Sequence, residues 1–284
     1  MNTRLAVLAT WLVASVALAE SAQTRGHLVL IGGGEKPRDA METFVRLAGG
    51  PDASIVVIPT ASEEPDIVEY YMSLLGQQYG CRNVTVLPVR TRTDAQRLEL
   101  AAQAREAKGI FFAGGDQVRI TAALLDTPLL AAIAEAFGRG AVIGGTSAGT
   151  ACQSPLMITG EGDFTIIRAG AVELKPGLGF FSGVIVDQHF VARQRLNRLL
   201  TVLLEHPHLL GVGVDEDTAV WVRPDNTFVV LGHRSVVVLD AQEAKVHRRE
   251  VEGHAPALGA HGLRVSILLP GETYDLTRRQ ILAP

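Results

Sequence analysis

Short apolar runs recur along this chain, each closing on a glycine or proline turn and followed by a stretch long enough for a helix. His27–Ile31 runs into Gly32-Gly33-Gly34-Glu35, and Ser54–Pro59 is a continuous β-branched run. Val84–Val89 is a further run, and Gly109–Ala113 closes on Gly114-Gly115-Asp116-Gln117. Helices are predicted over Asp39–Leu47, Glu63–Tyr79 and Asp94–Ala107, the last opened by Asp94 as cap, then two more broken at Pro128. Runs without polar alternation suit strands buried on both faces. Their alternation with helices implies an α/β fold: a mostly parallel sheet with helices on both faces. Ligands of such sheets sit off the carboxyl ends of the strands. Residues 32–35, 59–63 and 114–117 therefore fall on one rim.

The next run ends on the same rim. Ala141–Thr150 reads A-V-I-G-G-T-S-A-G-T, a buried strand that breaks sharply into a helix with Ser147 at the bend. Glycines on both sides permit so tight a turn and hold the hydroxyl outward. Backbone N–H groups at the glycine turns around Gly115-Asp116 and at Ala148 open helices, and are the natural donors to an oxyanion. Further on, a strand at Gly183–Val186 carries Asp187-Gln188-His189-Phe190 at its end. A helix over Val191–Glu205 has Leu196, Leu199, Leu200 and Leu203 on one face, with Arg193, Arg195 and Arg198 on a solvated flank. Gly211–Val214 runs into Asp215-Glu216-Asp217. From Thr218 the pattern becomes antiparallel: Thr218–Val222, Phe228–Leu231, Ser235–Leu239 and Leu263–Leu268 are short strands parted by turns, appended to the parallel sheet.

Other classes are excluded or restricted by composition. A net charge of −4 leaves no basic footprint for nucleic acid. Pro37 stands where a dinucleotide fingerprint needs glycine, and no His/Cys spacing suggests zinc, so no cofactor or metal is implied. Residues 1–19 read as a secretory signal, with Arg4, an apolar Leu5–Leu18 and a small-x-small site at Ala17-Leu18-Ala19. No other run could span a bilayer. The expected mature chain is then a single domain over 20–284, exported and free of the membrane once the signal is cleaved. Cys81 and Cys152 are too few for a disulfide framework and read as buried thiols.

A serine hydroxyl becomes nucleophilic only beside a base that a third group orients. The rim-facing candidates are Ser147, His189 and an acid among Asp215, Glu216 and Asp217. Alternation along a strand sets Glu216 on the opposite face from its neighbours. G-G-T-S-A-G, then D-Q-H-F with R-x-R-x-x-R, then G-V-G-V-D-E-D-T-A, resemble the cyanophycinases, serine peptidases of a glutamine-amidotransferase-like, flavodoxin-like fold related to aspartyl dipeptidases. The resemblance spans roughly Leu28–Leu239. It implies Ser147 as nucleophile, His189 as general base and Glu216 as the orienting acid, with Gln117, Asp187, Gln188, Arg193, Arg195 and Arg198 as a polar substrate pocket. It further implies cyanophycin, a polyaspartate whose side-chain carboxyls each carry an arginine, as substrate, and β-aspartyl-arginine as product. Some relatives act instead on aspartyl or isoaspartyl dipeptides, and members commonly pair as homodimers. Thr150 departs from the family, which often has a small residue there, and the 160–178 insertion has no residue-by-residue counterpart. An α/β-hydrolase esterase would need its histidine near the C-terminus, at His254 or His261, with no strand ahead of it. A binding protein without chemistry would have no use for all three positions. An amidotransferase would carry cysteine at 147.

Overall fold

The computed structural model describes residues 26 to 283; the leader expected at 1–19 lies outside the described residues. The first half runs β1 (Leu28–Ile31), α1 (Arg38–Ala48), β2 (Ser54–Ile58), α2 (Ile67–Tyr71), β3 (Asn83–Val86), α3 (Arg92–Ala95), α4 (Leu98–Glu106), β4 (Gly109–Phe112), α5 (Gln117–Leu124), α6 (Pro128–Gly138) and β5 (Val142–Thr146). Then come α7 (Ala148–Ala151), β6 (Leu156–Gly162), β7 (Val172–Pro176), β8 (Val184–Gln188), α8 (Leu196–Glu205) and β9 (Leu210–Val214). The chain ends with β10 (Thr218–Val222), β11 (Thr227–Gly232), β12 (Val236–Asp240), β13 (Lys245–Val251), β14 (His254–His261), β15 (Arg264–Leu268), β16 (Thr273–Asp275) and β17 (Gln280–Leu282).

Nine strands form the central sheet, in the order β17-β16-β11-β10-β1-β5-β4-β2-β3. Its β1-to-β3 half is parallel, as the β-branched runs require, and β10 onward is antiparallel. Leu28 and Leu30 of β1 enter the core on one face while Val29 and Ile31 enter the core on the other. That is the period of a strand covered on both sides. Registers Ile31↔Thr146, Phe112↔Gly145 and Ile58↔Phe112 bring the carboxyl ends of β1, β5, β4 and β2 level.

A second sheet, β15-β12-β9-β8, was not expected as a separate body. β8 and β9 are parallel in it, with Gln188 opposite Val214. Of the late strands, β10 and β11 join the central sheet whereas β12 and β15 join the second. The apolar residues Val186, Val212, Val214 and Val238 pack into the same core as Leu28, Leu30 and Ile143, so one core serves both sheets.

Three helices differ from the sequence expectation. Pro65 keeps Glu63 and Glu64 out of α2, which starts at Ile67 and widens into a π-helical Met72–Gln78. Thr91 caps α3, and Asp94 reaches back to the Thr91 backbone from inside the helix as the other half of a capping box. After β8 the chain makes a turn in which Gln194 takes φ 54°, so α8 begins only at Leu196 and Arg193 and Arg195 precede its helical body. Part of the 160–178 insertion forms the β6–β7 ribbon, and 245–261 folds as a charged hairpin without apolar alternation to announce it.

The two sheets meet where β1 ends. A Cβ on Gly32 would lie 2.2 Å from the Asp215 carbonyl oxygen, and one on Gly33 2.2 Å from the His189 ring. Gly33 also sits at φ 118°, open to glycine at little cost. Gly33→Ala should therefore lower unfolding free energy by about 2 kcal/mol or more. Urea denaturation tests this, and an unchanged midpoint at unchanged slope would contradict so close an approach.

Candidate active site

β5 delivers Ser147 to the rim in a strained backbone, φ 52° and ψ −112°. The Ser147 carbonyl accepts from Thr150 and Ala151 N–H, closing α7 at once. Thr150, the residue that departs from the family pattern, has its hydroxyl between the carbonyls of Ile31 (2.7 Å) and Gly145 (3.0 Å), which pins the bend to β1.

Three consecutive carbonyls at the end of β1 hold three different turns. Ile31 accepts from Ser147 N–H (3.0 Å), Gly32 from His189 N–H (2.7 Å) and Gly33 from Asp217 N–H (2.9 Å). His189, following β8, and Asp217, following β9, also have positive φ, 49° and 54°. The result is a hydrogen-bonded chain. Ser147 Oγ lies 2.9 Å from His189 Nε2, and His189 Nδ1 lies 2.6 Å from Glu216 Oε1.

A carboxylate can only accept, so it places the imidazole proton on Nδ1 and leaves Nε2 free to accept from the serine hydroxyl. Gln188 Oε1 is the hydroxyl's alternative acceptor, at a longer 3.4 Å. Burial pulls the His189 pKa below its ordinary value, and nearby Arg193 adds to this, against the raising effect of the Glu216 hydrogen bond. Neutral imidazole is thereby favoured, as a proton acceptor requires.

The flanking acids serve the backbone. Asp215 Oδ1 accepts from Val191 and Ala192 N–H and shapes the chain after His189. Asp217 Oδ1 accepts from Glu35 N–H, and its other oxygen pairs with Arg234 at 3.1 Å. Residues 215–217 form a turn, so the geometry of the turn, and not strand alternation, singles out Glu216.

Several expected pocket residues have partners within the protein. Arg198 and Asp187 form a buried bidentate ion pair, with side chains 3% and 1% exposed. That corrects the solvated flank read from helical spacing. Arg195 donates to the Gln188 carbonyl at 2.7 Å, and burial together with the adjacent Arg198 lowers its pKa to about 10. Gln117 donates to the Ile158 and Thr159 carbonyls, tying α5 to β6. Arg193 remains half exposed, 3.9 Å from Glu216.

Among the expected oxyanion donors, Asp116 N–H is already bonded to the Ala61 carbonyl at 3.0 Å, and its side chain caps α5. The N–H groups of Gly115 and Ala148 have no acceptor among the described residues. Cys81 and Cys152 are separate, buried thiols.

An open cleft of about 580 Å³ extends from Ser147 and His189. Its walls include Lys36, Glu64, Tyr70 and Arg119, which sequence reasoning missed. Lys36 lies just past the glycine turn of β1, but Tyr70 and Arg119 sit inside helices, where nothing in the sequence distinguishes them from surface residues.

Comparison with known proteins identifies the family. The model of peptidase family S51 matches residues 28–230. The chain belongs to peptidase family S51. It is a serine-type peptidase. The cyanophycinase of Synechococcus elongatus is 39% identical over 262 residues, covering 90% of this chain and 81% of that protein. The cyanophycinase of Geminocystis herdmanii is 36% identical over 264 residues, covering 91% and 97%. Among solved structures, a peptidase from an acI-B1 actinobacterium superposes with TM-score 0.67 at 25% identity, covering 89% of this chain and 98% of that one. That likeness agrees with the mixed α/β fold described above, a large mostly parallel sheet with helices and additional antiparallel strands.

If the Asp187–Arg198 pair is framework, Arg198→Met leaves the buried Asp187 carboxylate only its longer 3.8 Å contact to Arg195 and the Gln188 N–H, and should cost about 3 kcal/mol of stability. Arg193→Met, at an exposed position, should stay within about 0.5 kcal/mol. Denaturation of the two variants side by side checks this, and equal small losses would contradict a framework role for Arg198.

Proposed function

We propose that this chain is an exported serine exopeptidase that hydrolyses cyanophycin to β-aspartyl-arginine, with Ser147 as nucleophile, His189 as general base and Glu216 as its orienting acid. The observation that carries the reading is the 2.9 Å and 2.6 Å pair of hydrogen bonds linking these side chains. The substrate assignment draws on relatives named cyanophycinase at 36–39% identity.

The reaction follows from the atoms present. His189 Nε2 takes the Ser147 proton as Oγ attacks the scissile carbonyl, whose π pair moves onto oxygen. Gly115 and Ala148 N–H groups receive that oxyanion, and Glu216 steadies the imidazolium. Collapse breaks the C–N bond, and the departing amine takes the proton from Nε2. Water, deprotonated by the same nitrogen, attacks the acyl ester and restores Oγ–H. An exported enzyme, with its signal removed at residues 1–19 and one domain over 20–284, would scavenge polymer released by other cells.

Incubation of the mature protein with cyanophycin should liberate β-aspartyl-arginine, read by mass spectrometry. Ser147→Ala and His189→Ala should each reduce turnover about 10⁴-fold or more, and the double variant little further, because the pair acts as a unit. Release of other dipeptides without this one would point to the dipeptidase reading.

Only neutral imidazole accepts a proton, and the His189 pKa is lowered. The kcat/KM profile should therefore be flat near neutrality and fall with acid through a midpoint below 6.5, the ordinary histidine value. A midpoint above 6.5 would contradict the assignment of His189.

A further inference from the structure

The cleft beside Ser147 carries charges that the hydrolytic chain does not use. Lys36 Nζ donates to the Tyr70 hydroxyl at 2.8 Å and lies 4.8 Å from the centroid of the same ring. It has no carboxylate partner among the described residues. An ammonium held by a neutral hydroxyl and an aromatic face keeps its charge unspent while its position is restricted. Glu64, on another part of the cleft lining, likewise has no cationic partner among the described residues, although neighbouring Glu63 is paired with Arg119. The Glu63–Arg119 pair thus neutralises itself; among the described residues of the lining, Lys36 is left as a cation without a carboxylate partner and Glu64 as an anion without a cationic one, while the Asp116 carboxylate is taken up in capping α5.

Each branch of cyanophycin ends in an arginine joined through its α-amino group. The free groups of that branch are one carboxylate and one guanidinium. We infer that Lys36 and Glu64 form a branch-reading subsite, Lys36 taking the arginine carboxylate and Glu64 the guanidinium. The inference rests on the cyanophycin reading above. Tyr70 is a positioning residue, holding the ammonium over the cleft. Charge-assisted hydrogen bonds of this kind have the strength to decide between branches.

Three synthetic oligomers of the polyaspartate backbone test it, their side-chain carboxyls bearing arginine, agmatine (no carboxylate) or citrulline (no charge on the side-chain end). The wild type should prefer arginine to both by about tenfold or more in kcat/KM, expressed mainly through KM. Lys36→Met should erase the preference over agmatine and keep that over citrulline. Glu64→Gln should do the reverse, and Lys36→Arg should restore the first preference. A wild type that cleaves the arginine oligomer while Lys36→Met keeps its full preference over agmatine overturns the subsite and leaves the function standing. A wild type that cleaves none of the oligomers, nor the polymer, overturns the function, and the subsite with it.

Discussion

The end of β1 is the constraint on which the rest of this molecule depends. Ile31, Gly32 and Gly33 offer three carbonyls in succession, and each takes an N–H from a different turn: that of Ser147, of His189 and of Asp217. Ser147 belongs to the central sheet, whereas His189 and Glu216 belong to the ends of β8 and β9 in the second. No local propensity could bring them together. The seam does so because residues 32 and 33 lack side chains: any Cβ there would drive apart the groups it joins.

The seam also carries strain. Ser147, His189 and Asp217 all have positive φ without being glycine, at a cost of about 1–3 kcal/mol each. That conformation persists because surrounding contacts over-determine it. Thr150 ties the serine bend to β1, Asp215 accepts two N–H groups just after His189, and the Asp187–Arg198 pair stiffens the strand that presents the imidazole. The charged residues around the site therefore divide in two. Those with buried partners fix geometry, and those facing the cleft without partners remain free to meet a ligand.

This division marks what the sequence could and could not say. Ser147 and His189 were legible because each follows the carboxyl end of a short apolar strand, which places it on the rim whatever the details of the sheet. The parallel half of the central sheet was legible for the same reason, since β-branched runs need only local reading. Glu216 was singled out through the family motif; the alternation argument failed because the residues form a turn with Asp217 at φ 54°. Arg198 was misread because spacing gives the face of a helix but not the carboxylate waiting under it, and Gln194 had already broken the helix on which that face was drawn. The second sheet escaped notice because strand pairing is non-local. β12 and β11 have similar compositions yet join different sheets.

A distance between groups on different sheets is a property of the core between them. Here that core is shared: Val186, Val212 and Val214 from below the histidine pack with Leu28, Leu30 and Ile143 from below the serine. Close-packed interiors resist small displacements, since a gap of half an ångström already forfeits much of the dispersion contact. The 2.9 Å between Ser147 and His189 is thus set twice, by the hydrogen bonds of the seam and by the apolar layer beneath it. Either alone would leave one rotation free, the seam acting as a hinge or the core as a sliding plane. Acting together they fix the backbones that present Ser147 and His189, and the Glu216 hydrogen bond turns the ring toward the hydroxyl.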